Sequence, residues 1–274
     1  MPAIIIIPAR YASTRFPGKP LCPLSGKPLI LHVYERSKLA KSALEVFVAT
    51  DNKLIYDAVE GFGGKAIMTS EGHQSGTDRI AEAVKILENT GYGIQDTDII
   101  VNVQGDEPMI QPEMIDDVIE VMEDERASIG TLAKKIEKAE EITDPNIVKV
   151  VFNEKGFALY FSRSPIPYHR DLFSAEAQKC GSAEKKIFSF GLPDFQTSEL
   201  LMFKHIGIYA YRKNVLLRLS NLPSTRLEEI EKLEQLRALE NGFKIKVKET
   251  GFETIGVDTP TDLERVEKCL NISL

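Results

Sequence analysis

The sequence predicts an α/β fold with a mainly parallel sheet, and three features of its first hundred residues carry that expectation. Short runs rich in β-branched residues recur, the stretches between them repeat apolar residues at helical spacing, and the runs are continuous rather than alternating. Strands separated by helices imply parallel pairing through right-handed crossovers. Continuous apolar strands suit a sheet covered on both faces. A doubly wound sheet is expected, with a small antiparallel lobe added further along the chain.

Taken in order, Ile4–Ile7 is the first strand, and Pro28–Ala40 a helix with Leu29, Ile30, Val33 and Ala40 on one side. Glu45–Thr50 is a second strand, Asn52–Phe62 a helix, Lys65–Thr69 a third strand, Asp78–Leu87 a helix and Asp98–Gln104 a fourth strand. The pattern then changes. Ile147–Phe152, Phe157–Phe161 and His205–Tyr211 are strand-like with short separations, which predicts antiparallel pairing. Asp171–Leu200 holds no sustained period and reads as a long loop at about 171–200. Leu227, Ile230, Leu233, Leu236 and Leu239 recur every three residues, predicting a helix over Leu227–Glu240 that Gly242 stops. Lys244–Glu249 is a late strand, and Thr261–Leu270 a last helix opened by Pro260. With no repeat, low-complexity tract or linker, residues 1–274 read as a single domain.

Composition excludes several classes. At 274 residues, 43% hydrophobic and 27% charged, the chain has the make-up of an ordinary globular protein. A net charge of −7 with no Lys/Arg run argues against nucleic acid as a partner. The Ala3–Ile7 run is too short to span a bilayer and lacks the flanks of a signal peptide, so no membrane insertion is expected. Cys22, Cys180 and Cys269 show no CxxC or His spacing, which reads as reduced thiols in a cytoplasmic protein.

In open α/β sheets the ligand lies beyond the C-terminal ends of the strands, so the segments after each strand matter most. After the first, residues 8–20 place Arg10, Arg15 and Lys19 among small hydroxyl residues and a Pro-Gly turn. Such a loop can wrap a polyphosphate, or be a solvated basic loop. It matches neither GxGxxG nor the Walker spacing. After the third strand, residues 69–79 supply Ser75, Gly76, Thr77, Asp78 and Arg79. They can bring backbone to a nucleobase and an arginine to an anion, or simply cap a helix. After the fourth, Asp106 and Glu107 are hard oxygen donors suited to magnesium on substrate phosphates. Asp258, just before the last helix, is either its N-cap or, paired with Asp106, a metal ligand.

These segments together resemble the cytidylyltransferases that make CMP-Kdo, the 3-deoxy-manno-octulosonate cytidylyltransferases. The carriers are IPARYASTRFPGKPL at 7–21, VATD at 48–51, MTSEGHQSGTDR at 68–79, NVQGDEPMI at 102–110, ALYFSRSPIP at 158–167, HIGIYAYR at 205–212, LEQLRALENG at 233–242 and VDTPTDLERV at 257–266. The resemblance implies a nucleotide-diphospho-sugar transferase-like fold and a homodimer. It implies transfer of CMP from CTP to Kdo, releasing pyrophosphate, in lipopolysaccharide biosynthesis. It assigns Arg10, Ser13, Lys19, Ser75, Gly76 and Arg79 to CTP, and Asp106 and Asp258 to Mg²⁺. Among these, Lys19, Arg10 and Asp106 are the expected catalytic residues. Gln104, Arg163, His205, Tyr209, Glu234 and Gln235 fall on the sugar-acid side. One departure stands out: up to about Leu200, the segment after residues 168–173 finds no match and looks long for the family.

Two anions must meet in such a reaction, so the site needs cations, which Arg10, Lys19, Arg79, Arg163 and magnesium would supply. Positioning and electrostatics would carry most of the rate enhancement. Competing readings are a sialic-acid cytidylyltransferase, an enzyme for 8-amino-Kdo, and a nucleotide-binding module without catalysis. Asp106, Asp258 and Lys19 together argue against the last.

Overall fold

The computed structural model describes residues 3–12, 16–95, 98–170 and 201–272. Ser13 and the expected loop at 171–200 lie outside the described residues. The strands are β1 (Ala3–Ala9), β2 (Pro23–Leu24), β3 (Lys27–Pro28), β4 (Ala43–Thr50), β5 (Ala66–Met68), β6 (Ile99–Asn102), β7 (Ile129–Lys135), β8 (Lys149–Phe152), β9 (Ala158–Ser162), β10 (Phe203–Arg212) and β11 (Ile245–Glu249). The helices are α1 (Leu29–Lys38), α2 (Lys53–Gly61), α3 (Gly76–Asn89), α4 (Pro112–Glu120), α5 (Ala139–Thr143), α6 (Lys213–Leu219), α7 (Arg226–Glu231), α8 (Gln235–Glu240) and α9 (Pro260–Ile272).

Nine strands form one mixed sheet whose main path runs β11-β7-β10-β6-β1-β4-β5. β1 pairs in parallel with β4 on one side and β6 on the other, and β5 extends β4 in parallel. β10 is antiparallel to both β6 and β7, while β11 returns parallel to β7. The β8–β9 hairpin adds to β10 as an antiparallel extension. A mainly parallel sheet with an antiparallel part is therefore observed.

Alternation along β1 builds a core on each face. Ile5 and Ile7 pack with Leu29, Ile30 and Val33 of α1, Ile55 and Val59 of α2, and Ile115 of α4. Ile4 and Ile6 pack with Ile80, Val84 and Leu87 of α3 and Leu216 of α6. Successive side chains on a strand point to opposite faces, so an unbroken isoleucine run is what a doubly covered strand requires.

Three expectations need correction. β10 does not stay in a small lobe but inserts beside β6 in the main sheet. β7, with Gly130, Thr131 and two lysines among its residues, carries no clear apolar run, and the sequence did not predict it. The helix expected over Leu227–Glu240 is broken. α7 ends at Glu231, Lys232 takes a left-handed backbone at φ 54°, and α8 starts at Gln235.

Candidate active site

The site is assembled beyond the C-terminal ends of β1 and β6. Chain reversal after β1 depends on Gly18, whose N–H donates to Tyr11 O at 2.9 Å and whose φ is 72°. A left-handed backbone is cheap only for glycine. The turn aims Lys19 back into the molecule. Its Nζ donates to Asp106 Oδ2 and to the Val257 carbonyl, both at 2.7 Å, and lies 3.5 Å from Asp258 Oδ1. Lys19 is only 12% exposed, while Asp106 and Asp258 remain accessible.

Asp106 reaches this position because β6 exits against β1. A side chain at Gly105 would sit 2.7 Å from the Pro8 carbonyl, so no larger residue fits. The segment carrying Asp258 is tied to the same point, with Val257 N–H donating to Asp106 O at 2.8 Å. Asp258 is not the side-chain cap of α9. Asp262 Oδ2 accepts from the N–H groups of Asp258 and Thr259, and Thr259 Oγ1 accepts from Asp262 N–H. The Asp258 carboxylate is left facing Lys19.

On the opposite wall, Ser75 caps α3 by accepting from Asp78 N–H at 3.1 Å, and Gly76 lies against Pro8. Arg79, expected to face an anion, is 3% exposed and donates to Asp51 Oδ2 at 2.5 Å and Thr69 Oγ1 at 2.6 Å. Its charge is met within the protein. His73 and Gln74, which carried no assignment from sequence, join this wall. The resulting cleft of about 260 Å³ is lined by Arg10, Lys19, Ser75, Gly76, Arg79, Gln104, Asp106 and Asp258.

A second cavity of about 180 Å³ adjoins it and shares Gly76 and Gln104 as walls. Tyr209, Glu234 and Gln235 line it together with Thr77, Asn102 and Tyr211, of which Asn102 and Tyr211 had no role read from the sequence. The break between α7 and α8 turns Glu234 toward α3, where it accepts from Ser75 Oγ at 3.1 Å and Thr77 Oγ1 at 2.8 Å. Burial pushes the Glu234 carboxyl above the usual range, against the pull of these bonds and of Arg237. Burial likewise raises the hydroxyls of Tyr209 and Tyr211.

His205 stands behind Tyr209 rather than in the cavity wall, with ring centroids 5.3 Å apart. The two come together because the β10–β7 register shifts between Ile206 and Tyr209. Thr131 fills that irregularity, donating to Ile208 O at 2.8 Å while its oxygen lies 2.9 Å from His205 Nε2. With the hydroxyl proton committed to Ile208, His205 Nε2–H is the donor. Burial pushes the imidazole down to about 3, so the ring is neutral at physiological pH.

Arg163 is not brought to either cavity. Its guanidinium donates to the carbonyls of Glu231 and Pro145, both at 2.8 Å, and its N–H to Glu231 Oε2 at 3.0 Å. It brackets the exit of β9 to the end of α7. Glu107, beside Asp106, is pushed up to about 8 by burial and then by the Asp106 charge, so it is largely protonated at neutral pH.

A lysine drawn to two carboxylates, at the mouth of a parallel sheet and beside a glycine-and-serine helix start, is the outfit of a nucleotide-handling α/β enzyme. The chain belongs to the cytidylyltransferase family, whose model matches residues 4–247. It is 57% identical over 271 residues to the 3-deoxy-manno-octulosonate cytidylyltransferase of Thermodesulfovibrio yellowstonii, covering 99% of each chain. It is 45% identical over 275 residues to the 8-amino-3,8-dideoxy-manno-octulosonate cytidylyltransferase of Shewanella putrefaciens, covering 100% of each. Its structure is similar to that of a CMP:2-keto-3-deoxy-manno-octonic acid synthetase complexed with CTP, with a TM-score of 0.83, 42% identity and 100% of both chains covered.

Proposed function

We propose that the chain transfers the CMP part of CTP to Kdo, giving CMP-Kdo and pyrophosphate. The carrying observation is the pair of adjoining cavities sharing Gly76 and Gln104, one charged and one lined by tyrosines and amide or carboxyl groups. In this reading the charged cleft takes CTP and the neighbouring cavity takes the sugar acid. Names borne by the relatives support both assignments.

The anomeric hydroxyl of Kdo attacks the α-phosphorus, a new P–O bond forms, the bond to the β-phosphate breaks, and the hydroxyl proton is released. Arg10 and Lys19 place positive charge against the phosphates. Gln104, a wall of both cavities, holds the two reactants at their meeting point. Tyr209 and Gln235 offer hydrogen bonds to sugar hydroxyls, and neutral His205 fixes the Tyr209 ring from behind. Such positioning lowers the barrier without covalent participation by the protein.

Asp106 and Asp258 would hold Mg²⁺. No group of three or more His, Cys, Asp or Glu suited to a metal occurs among the described residues. Two carboxylates nevertheless fit a hard cation that takes its remaining ligands from water and phosphate. When bound, Mg²⁺ would supply Lewis acidity at the α-phosphoryl group.

The reading extends to a homodimer in the cytoplasm. Leu159 on β9 and Ile230 on α7 expose large apolar side chains, which a second copy would cover. Cys22 is a free thiol, as suits a reducing compartment. Sedimentation tests the first and cell fractionation the second. Pyrophosphate release from CTP, assayed with Kdo, 8-amino-Kdo and N-acetylneuraminate in turn, tests the reaction. Preference for Kdo is expected, and exclusive use of either rival overturns it.

A further inference from the structure

The nucleotide cleft contains an imidazole whose proton is set from outside the cleft. His73 lines the cleft beside Gln74 and Ser75, and its Nε2 is hydrogen-bonded to Glu82 Oε2 on α3. The same carboxylate accepts from Ser70 N–H at 2.8 Å and Ser70 Oγ at 2.7 Å. Three bonds therefore fasten residues 70–73 to α3, and the His73 side chain is held at 19% exposure. Burial raises the Glu82 carboxyl, but the bonds from His73 and Ser70 outweigh it and hold it below the usual range. Glu82 is thus an acceptor only, and Nε2 must carry the proton. Nδ1 is then the ring nitrogen left for a ligand, and in the neutral ring it is an acceptor.

We propose that His73, fixed in this tautomer by Glu82, reads the exocyclic amine of cytosine and thereby separates CTP from UTP. An acceptor at Nδ1 takes a hydrogen bond from the 4-amino group of cytosine. Uracil presents a carbonyl oxygen there, so two lone pairs face each other and a desolvated acceptor goes unpaired. His73 is the specificity-determining residue and Glu82 its positioning residue. The assignment rests on the cytidylyltransferase reading, since it places the base of the nucleotide against residues 73–76.

Isothermal titration of the full chain with CTP and with UTP, without sugar acid, tests it directly. The wild type is expected to bind CTP more tightly than UTP by about tenfold or more, the size of one well-made hydrogen bond against a mismatched one. His73→Phe should weaken CTP to the level of UTP and leave UTP unchanged. Glu82→Gln should narrow the ratio, whereas Ser70→Ala, which removes a bond to the same carboxylate without touching the ring, should preserve it. An unchanged CTP:UTP ratio in His73→Phe overturns the proposal. So does a parallel loss of both nucleotides, which would mean that the pair only shapes the loop. Turnover with Kdo is scored separately, so absence of that reaction in the wild type counts against the proposed function while the binding ratio still judges His73.

Discussion

Lys19 is the residue on which the charged cleft turns, because one ammonium joins the exit of β6 to the segment before α9. Removing charge from either carboxylate alters both that joint and the expected metal site. Asp106→Asn keeps shape, so the fold should persist, and kcat is expected to fall by about 100-fold or more. Circular dichroism with steady-state kinetics checks both halves. His205 yields a stability prediction of definite sign. Its folded value of about 3 lies below the ordinary imidazole value of 6.5, so the unfolded chain binds a proton that the native state refuses. Stability contributed by the neutral ring is full above pH 6.5 and is lost as pH falls toward 3. His205→Gln should therefore show a smaller drop in urea midpoint between pH 7 and pH 4.5 than the wild type does. At this scale much of the site was legible: Lys19, Asp106 and Asp258 follow strand ends or precede a helix, where ligands gather. His73 was assigned no role, and Glu107 was read with Asp106 as an oxygen donor for magnesium although burial keeps it largely protonated, since a histidine or carboxylate in sequence does not reveal the surroundings that fix its proton.

The break between α7 and α8 is the element that makes the second cavity. Leucines or isoleucines at every third residue run straight through it, so periodicity alone predicted one helix. What ends α7 is tertiary: Glu231 accepts from Ser162 Oγ at 2.7 Å and Arg163 N–H at 3.0 Å, and its carbonyl takes Arg163 Nε. Lys149, buried with Nζ on the carbonyls of Asp144, Ile147 and Arg163, braces the same corner. Arg163→Lys cannot span both Pro145 O and Glu231 O with one planar fork. A loss of about 1–2 kcal/mol in urea unfolding is expected, with a secondary rise in KM for Kdo as Glu234 and Gln235 shift. Unchanged stability with a loss confined to Kdo would return Arg163 to direct contact with the sugar acid. The insertion of β10 beside β6 was hidden for a related reason. A strand's apolar pattern reports that it is buried, not which neighbour it pairs with.

For the molecule as a whole, the central sheet is covered on both faces, and β1 belongs to both cores. Ile6 is fully buried, so Ile6→Ala should cost about 2–5 kcal/mol in denaturant unfolding without a specific effect on either substrate. The parallel half of the sheet was readable because each strand is a compact apolar run followed by a helix with its own period. In the other half β8, β9, β10 and β11 were also readable as strands, but β7 was not, because lysines and a glycine dilute its pattern. Function depends on both halves: the cleft opens on β1 and β6, and the second cavity on β6, β10 and the α7–α8 break. The central claim is that these cavities hold CTP and Kdo for one transfer. Mass spectrometry of the products from CTP, Kdo and magnesium, with pyrophosphate counted in parallel, tests it most directly. CMP-Kdo and pyrophosphate in equal amounts, abolished by a chelator, is the predicted result. Failure to form CMP-Kdo, or formation of a CMP-sugar only from a different sugar acid, would contradict it.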